Sequence, residues 1–127
     1  MKEQFINIDA NGNKFYYQDK EMTQRHREDG PAIEYAYGGK EWYLNGKRHR
    51  DGDAALEYAK GYKEWWLNGK LHREDGPAIE YPNGSKAWYL DGMLHREDGP
   101  AIEWADGGKS WWLNGEYLSR EENTLRT

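Results

Sequence analysis

Residues 72–94 read HREDGPAIEYPNGSKAWYLDGML, and the pattern recurs at 26–48, 49–71 and 95–117 of the 127-residue chain. Each copy is 23 residues long and opens with His-Arg. Repeats of this length build arrays in which every unit buries its apolar groups against its neighbours. The sequence therefore predicts one repeat domain that spans residues 1–127.

The two ends of the chain carry weaker copies of the pattern. Residues 6–17 read INIDANGNKFYY and match the AIEYPNGSKAWY segment, with Tyr16 at the Trp position. Residues 118–122 read LSREE and match HREDG without the histidine. Because an end unit has only one neighbour, we predict degenerate caps over 1–25 and 118–127.

Two turn signals punctuate each copy, as in Asn83-Gly84 and Asn45-Gly46. Asn-Gly and Asp-Gly favour the positive φ angles that tight hairpin turns require. The stretches between them are short and rich in Ile, Tyr, Trp and Leu, which favour strands. We predict an all-β repeat protein in which stacked antiparallel β-hairpins form an elongated, twisted sheet, without substantial helix.

A two-residue turn at Asn83-Gly84 would pair Ile79 with Trp88 and Tyr81 with Lys86. Since side chains alternate between the faces of a strand, Ile79 and Trp88 would then share the core face. The predicted core ladder consists of Trp42, Trp65, Trp88 and Trp111. The sequence does not decide whether the short return segment after each Asn-Gly turn forms a third strand.

The opposite face is the predicted partner-binding surface, because exposed aromatic stripes mark interaction sites and Tyr and Trp dominate binding hot spots. Its acidic side chains would favour a basic partner. The candidate residues are Tyr43, Trp66, Tyr89, Trp112, Glu34, Glu57, Glu80 and Glu103. The alternative is that the twist of the sheet or a second copy of the chain covers the stripe. In the second case the protein would be a homo-oligomer.

A secondary candidate edge follows the His-Arg pairs. The arginines are Arg27, Arg50, Arg73 and Arg96. They would form either inter-repeat ion pairs and turn hydrogen bonds or a stripe that contacts a partner. The second copy departs here, with Asp51-Gly52-Asp53-Ala54 where the others have Glu-Asp-Gly-Pro.

The recurring histidines suggest a metal site, but their spacing argues against it. Those residues are His26, His49, His72 and His95. Equivalent positions in stacked hairpins lie two strands, about 10 Å, apart, whereas zinc ligands lie within about 2.1 Å of the ion. We predict no metal site and histidines that are hydrogen-bonded or exposed in turns.

Composition narrows the function further. The mean hydropathy is -1.24, yet 7 Trp and 10 Tyr argue for a folded chain, since aromatic rings bury large apolar areas. The net charge is -5, and Lys and Arg are not clustered. We therefore expect that the protein binds neither nucleic acid nor a membrane. Without cysteine, no thiolate chemistry or disulfide is available. No apolar run suggests a signal peptide, so we expect a cytoplasmic location.

No catalytic pattern is evident in the sequence. There is no Ser-His-Asp order and no Gly-rich phosphate loop, and the glycines are isolated turn residues. An active site would also have to recur in every repeat. We therefore predict no catalytic residues, no cofactor and no enzyme activity.

The order of residues within a copy resembles the MORN repeat, and more closely its variant form. The resemblance rests on Trp-Tyr-Leu-Asn-Gly, then Gly-Pro-Ala-Ile-Glu-Tyr and Asn-Gly-Ser-Lys, and it covers residues 26–117. It implies single-layered sheets of hairpins used for scaffolding and protein contact, with a toxin-neutralising role in the bacterial variant. Segments such as WWLNGKLHREDGPA at 65–78 also resemble small repeat proteins of bacteriophages and large DNA viruses.

The sequence thus predicts a non-enzymatic protein-binding module. The viral resemblance implies a phage-encoded inhibitor of a host defence protein that acts in the host cytoplasm. An antitoxin-like or scaffold protein is one alternative, and a carbohydrate-binding module is another, because stacked rings beside Asn and Asp also suit sugars.

Overall fold

The computed structural model describes residues 4–118, which form seventeen β-strands and no helix. The predicted all-β repeat fold of stacked antiparallel hairpins is confirmed. The strands are β1 Phe5–Ile8, β2 Lys14–Tyr17, β3 Ile33–Glu34, β4 Lys40–Glu41, β5 Tyr43–Leu44, β6 Lys47–Arg48, β7 Leu56–Glu57, β8 Lys63–Glu64, β9 Trp66–Leu67, β10 Lys70–Leu71, β11 Ile79–Glu80, β12 Lys86–Ala87, β13 Tyr89–Leu90, β14 Met93–Leu94, β15 Ile102–Glu103, β16 Lys109–Leu113 and β17 Glu116–Leu118.

Eleven strands form one open antiparallel sheet in the order β1-β2-β3-β4-β7-β8-β11-β12-β15-β16-β17. Each repeat supplies two neighbouring strands, so equivalent positions of adjacent repeats lie about 10 Å apart. The first three repeats then form smaller hairpins, β5-β6, β9-β10 and β13-β14. In the last repeat β16 runs on and pairs with β17. The return segment therefore contains the short strand that the sequence left open.

The Asn-Gly turns of the small hairpins have the predicted tight geometry. Their first residues, Asn45, Asn68, Asp91 and Asn114, have φ between 49° and 52°, and the glycines that follow have φ of 81° or 82°. Positive φ at both central residues is what a type I′ turn requires. Asn and Asp tolerate this region better than other residues with a side chain.

The other turn is one residue longer than predicted. The Tyr81 N–H donates to Ser85 O and the Gly84 N–H donates to Tyr81 O, both at 3.0 Å, and Gly84 has φ 93°. This is a three-residue loop closed by a glycine in the left-handed region. Ile79 therefore pairs with Ala87 and not with Trp88, so the predicted register was wrong.

A register slip of one residue moves every side chain to the other face. The continuous strand β16 shows the result. Ile102 pairs with Ser110 and shares its face with Trp112, whereas Glu103 pairs with Lys109 and shares its face with Trp111. We call these the aliphatic face, which bears Ile33, Leu56, Ile79 and Ile102, and the arginine face, which bears the ladder of Trp42, Trp65, Trp88 and Trp111.

Small side chains occupy the most buried positions. The repeated alanines Ala32, Ala55, Ala78 and Ala101 are 0% exposed, and Ile33, Leu56 and Ile79 are at most 7% exposed. The four tryptophans of the predicted core ladder are only half-buried. The prediction of a tryptophan core was therefore wrong, because these rings lie on the arginine face of a single-layered sheet.

The N-terminal segment makes the hydrogen bonds of a repeat. The Tyr16 N–H donates to Ala32 O at 2.8 Å, and Tyr16 O accepts from the His26 N–H at 3.0 Å. Trp42 forms the equivalent pair of bonds with Ala55 and His49. Residues 119–127, most of the predicted C-terminal cap, lie outside the described residues.

Candidate functional site

The structure separates the two ladders of the predicted binding face. Tyr43, Trp66, Tyr89 and Trp112 lie on the aliphatic face, whereas Glu34, Glu57, Glu80 and Glu103 lie on the arginine face. The prediction that the aromatic and glutamate ladders share a face was wrong. The turn between the two sheet strands of each repeat is one residue longer than predicted, which moves the aromatic ladder to the other face. Contact of either ladder with a partner stays a prediction.

The glutamates of the arginine face hold the arginines of the secondary candidate edge. Arg73 Nη1 donates to Glu80 Oε2 at 3.1 Å and to Pro77 O at 3.0 Å. Its Nε donates to Asp75 Oδ1 at 2.9 Å. Arg73 Cζ also lies 3.8 Å from the ring centre of Trp65 in the preceding repeat. The ion pairs of Arg73 thus lie within its own repeat and not between repeats as predicted, and the ring contact joins this repeat to the one before.

The contact of an arginine with the aromatic ring of the preceding repeat, which we call the arginine clamp, recurs along the chain. Arg27 lies over Tyr16 at 4.1 Å, Arg50 over Trp42 at 3.9 Å and Arg96 over Trp88 at 3.8 Å. The four arginine side chains are only 20–30% exposed. Their guanidinium groups serve repeat-to-repeat packing, so the outward-facing groups of this edge are carboxylates.

The histidines support the small hairpins. Each Nδ1 accepts the N–H of the first turn residue, Asn45, Asn68, Asp91 or Asn114, at 2.8–2.9 Å. This agrees with the structural interpretation of the histidines. Within residues 4–118 no group of three or more His and carboxylate side chains could hold a metal ion.

One part of the aliphatic face breaks the repeat. Four repeat positions carry different residues in different copies: Glu41, Glu64, Ala87 and Ser110; Arg48, Leu71, Leu94 and Tyr117; Tyr37, Lys60, Asn83 and Asp106; Gly39, Tyr62, Ser85 and Gly108. The first two repeats carry Tyr37, Glu41, Arg48, Tyr62 and Glu64 at these positions, and the fourth repeat carries Asp106 and Tyr117. Because a repeat scaffold needs the shared residues, residues that differ between copies are the candidates for function.

Glu41 lies at the centre of this region and is only 3% exposed. Its Oε2 accepts hydrogen bonds from the hydroxyls of Tyr35 at 2.8 Å and Tyr58 at 3.0 Å. Its Oε1 accepts from Arg48 Nη2 at 2.8 Å and from the Tyr43 hydroxyl at 3.1 Å. Burial alone would raise the pKa of Glu41, but the hydrogen bonds from Tyr35 and Arg48 outweigh it and lower the pKa.

A second carboxylate lies on the other side of Arg48. Glu64 Oε1 accepts from Trp66 Nε1 at 2.7 Å and lies 3.9 Å from Arg48 Nη1, and its Oε2 accepts from the Tyr62 hydroxyl. Arg48 Cζ is 4.9 Å from the ring centre of Trp66. The Glu41–Arg48–Glu64 network therefore ties two repeats together and orients aromatic side chains from both.

Five tyrosines form a continuous row above this network, which we call the tyrosine cluster: Tyr35, Tyr37, Tyr58, Tyr62 and Tyr81. Ring centres of successive members, in the order Tyr37, Tyr35, Tyr58, Tyr62 and Tyr81, are 5.2–6.1 Å apart. Tyr37 is 61% and Tyr81 is 40% exposed at the two ends. Burial, with the charge of Glu41, raises the pKa of Tyr58 to about 12, as expected for a hydroxyl that donates to a carboxylate.

This arrangement suits recognition better than acid–base chemistry. A general acid needs a pKa raised towards the working pH, whereas the pKa of Glu41 is lowered and its oxygens are held by four donors. The hydroxyls of Tyr35, Tyr43 and Tyr58 are held by the same bonds, and the hydroxyl of Tyr62 is held by Glu64. The most exposed rings of the row are those of Tyr37 and Tyr81 at its two ends.

The sequence contained a signal for this site that the interpretation missed. The residues that the copies share specify the scaffold, whereas the positions at which the copies differ carry the signal for this site. At one repeat position the first two copies carry a charged residue, Glu41 or Glu64. The other two copies carry the small residues Ala87 and Ser110 there. That these positions meet at one place follows only from the strand pairing.

Neither models of known protein families nor curated protein sequences match this chain. The resemblance to the variant MORN repeat therefore stays a prediction, with which the stacked-hairpin sheet is compatible. Among the described residues there is no helix with the length and hydropathy that a membrane crossing requires.

Proposed function

We propose that this protein is a non-enzymatic protein-binding module that contacts its partner through the tyrosine cluster and the neighbouring Tyr43 and Trp66. The observation that carries the proposal is the break in repeat symmetry. Tyr37, Tyr62 and the Glu41–Arg48–Glu64 network occupy positions where other repeats carry small, aliphatic or different polar residues, and all of them lie together on the aliphatic face.

The physical argument is pre-organisation. Side chains that become ordered on binding each cost roughly 0.5–1.5 kcal/mol. Tyr35 and Tyr58 already donate to the buried Glu41 and Tyr62 donates to the half-buried Glu64, so their rings lose little freedom on contact. A rigid row of tyrosines is a low-entropy binding surface of the kind that dominates protein interfaces.

The resemblance to viral repeat proteins supports a finer proposal, in which the partner is a host protein that this module inhibits from the cytoplasm. A small, rigid module that occupies a partner's surface can inhibit it without chemistry of its own. A toxin-neutralising or scaffold role would use the same surface, and the identity of the captured protein decides among them.

The test exchanges residues between repeats. In the double variant Tyr37→Asn/Tyr62→Ser, both positions receive the residues of the third repeat, Asn83 and Ser85. The control is Met93→Lys, which removes a 43% exposed side chain outside the cluster and restores the lysine of the first two repeats. All three proteins should fold alike by circular dichroism.

Immobilised wild type and both variants are exposed to host lysate, and the captured protein is purified and titrated. We expect the double variant to bind at least about tenfold more weakly, since each hot-spot aromatic contributes more than about 1 kcal/mol. The Met93→Lys control should bind like wild type. Equal binding by the double variant would refute the tyrosine cluster as the contact surface. Binding to a glycan array that the double variant loses, without protein capture, would establish the carbohydrate alternative instead.

A further inference from the structure

On the arginine face, open clefts separate the loops that follow successive His-Arg pairs. Three of them have volumes of about 430, 370 and 600 Å³ along the chain. The floor of each consists of one tryptophan and one leucine: Trp42 with Leu44, Trp65 with Leu67, and Trp88 with Leu90. The clefts therefore recur with the repeat and combine an apolar floor with loop walls.

The rims of these clefts are acidic. The arginines lie against the tryptophans and are largely covered, whereas the carboxylates point outward. Side-chain exposure is 72% for Asp29, 85% for Asp51, 84% for Glu74, 87% for Asp75 and 87% for Asp98. In the largest of these three clefts four carboxylates face two arginines, so its field attracts a cation.

An apolar floor below an acidic rim matches the two parts of a basic side chain. Lysine and arginine lay an aliphatic stem along apolar surface and keep the charged end beside water or a counter-charge. Trp88 and Leu90 can receive such a stem, and Glu74 and Asp75 lie at the rim for its cation. One cleft thus has room and complementary charge for one basic side chain.

The spacing of the clefts indicates how several basic side chains would be presented. Adjacent repeats are two strands, about 10 Å, apart, and a chain in the polyproline II conformation rises about 3.1 Å per residue with three residues per turn. Three residues of such a peptide therefore span about one repeat, and every third side chain points to the same side. We propose that the clefts form a second binding surface for a basic segment of a protein in the polyproline II conformation, with a lysine or arginine at every third residue.

The test uses two labelled peptides of identical composition, one with lysine at every third position and the other with its lysines contiguous. Fluorescence anisotropy at about 0.15 M ionic strength reports binding, because long-range attraction is then largely screened. We expect the peptide with the three-residue period to bind about tenfold more tightly to the full-length protein. Equal affinities for the two peptides would refute the proposal.

Charge-matched variants separate the clefts from the overall charge. Glu74→Lys changes the rim shared by two clefts, and Glu116→Lys makes the same change in net charge at an exposed position of β17. We expect about fivefold weaker binding of the periodic peptide for Glu74→Lys and less than about twofold for Glu116→Lys. Equal losses would show that only net charge matters and would overturn the cleft assignment. The double variant Tyr37→Asn/Tyr62→Ser should bind this peptide like wild type, which distinguishes this surface from the tyrosine cluster.

Discussion

At the scale of the residue, Glu41 shows how a buried charge is made tolerable. A carboxylate removed from water costs several kcal/mol unless it is paired and hydrogen-bonded. Glu41 has three tyrosine hydroxyls and the Arg48 guanidinium as donors. The same bonds order the tyrosines, so one acid supports both stability and the proposed binding surface.

The first prediction is that Glu41→Gln destabilises the protein in a pH-dependent way. Removing one partner of a buried pair should cost roughly 3 kcal/mol at pH 7, at the low end of the usual range because Glu64 also lies 3.9 Å from Arg48. The folded pKa of Glu41 is lowered. Its stabilisation is therefore present above the ordinary Glu pKa of about 4.3 and is lost as the pH falls through the lower folded value.

Urea denaturation of wild type and Glu41→Gln across the acid range checks this. The gap in unfolding free energy should narrow as the pH falls below about 4. Glu57→Gln on the arginine face is the control, because that side chain is 31% exposed and should show a smaller gap. A gap that stays constant with pH would mean that Glu41 is not ionised in the folded protein.

At the scale of the element, the length of one loop decides which side chains share a face. The three-residue sheet turn pairs Ile79 with Ala87, and a two-residue turn would have paired Ile79 with Trp88. The glycine that closes the loop makes the longer turn possible. Gly84 has φ 93°, and a Cβ added there would meet nothing within 4 Å.

The second prediction is that Gly84→Ala costs about 1–2 kcal/mol, the penalty for a side chain in the left-handed region. The cost is purely conformational, since the space around Gly84 is open. Gly84→Asn is the matched control and should cost less, because Asn tolerates positive φ better. Thermal melts of both variants provide the measurement. An alanine variant as stable as wild type would show that the loop does not depend on this conformation.

At the scale of the whole molecule, a regular scaffold carries an irregular surface. The alanine row, the arginine clamps and the histidine-supported turns recur in successive repeats. The Glu41–Arg48–Glu64 network and the tyrosine cluster are confined to part of the sheet. Each repeat contacts its neighbours through the same pairings, so the number of repeats is separable from the function of any one of them.

The third prediction follows from that separation. Deletion of residues 72–94 joins Leu71 to His95 and restores a normal repeat boundary, because both junctions read Leu-His-Arg-Glu-Asp-Gly. The shortened chain should fold with the same β-sheet circular dichroism and a lower denaturant m-value, which scales with the surface exposed on unfolding. It should also keep the Glu41–Arg48–Glu64 network. An unfolded deletion variant would show that the sheet is stabilised by contacts beyond nearest neighbours.

Sequence alone determined the repeat length, the all-β class and the tight turns of the small hairpins. These properties depend on local residues, such as Asn45 before Gly46, whose backbone preferences act within a few positions. Tertiary structure decided which face each ladder occupies, because one additional loop residue reverses a pattern of period two. It also decided that Glu41, Arg48 and Glu64 meet, since strand pairing across repeats, and not any local preference, brings these side chains together.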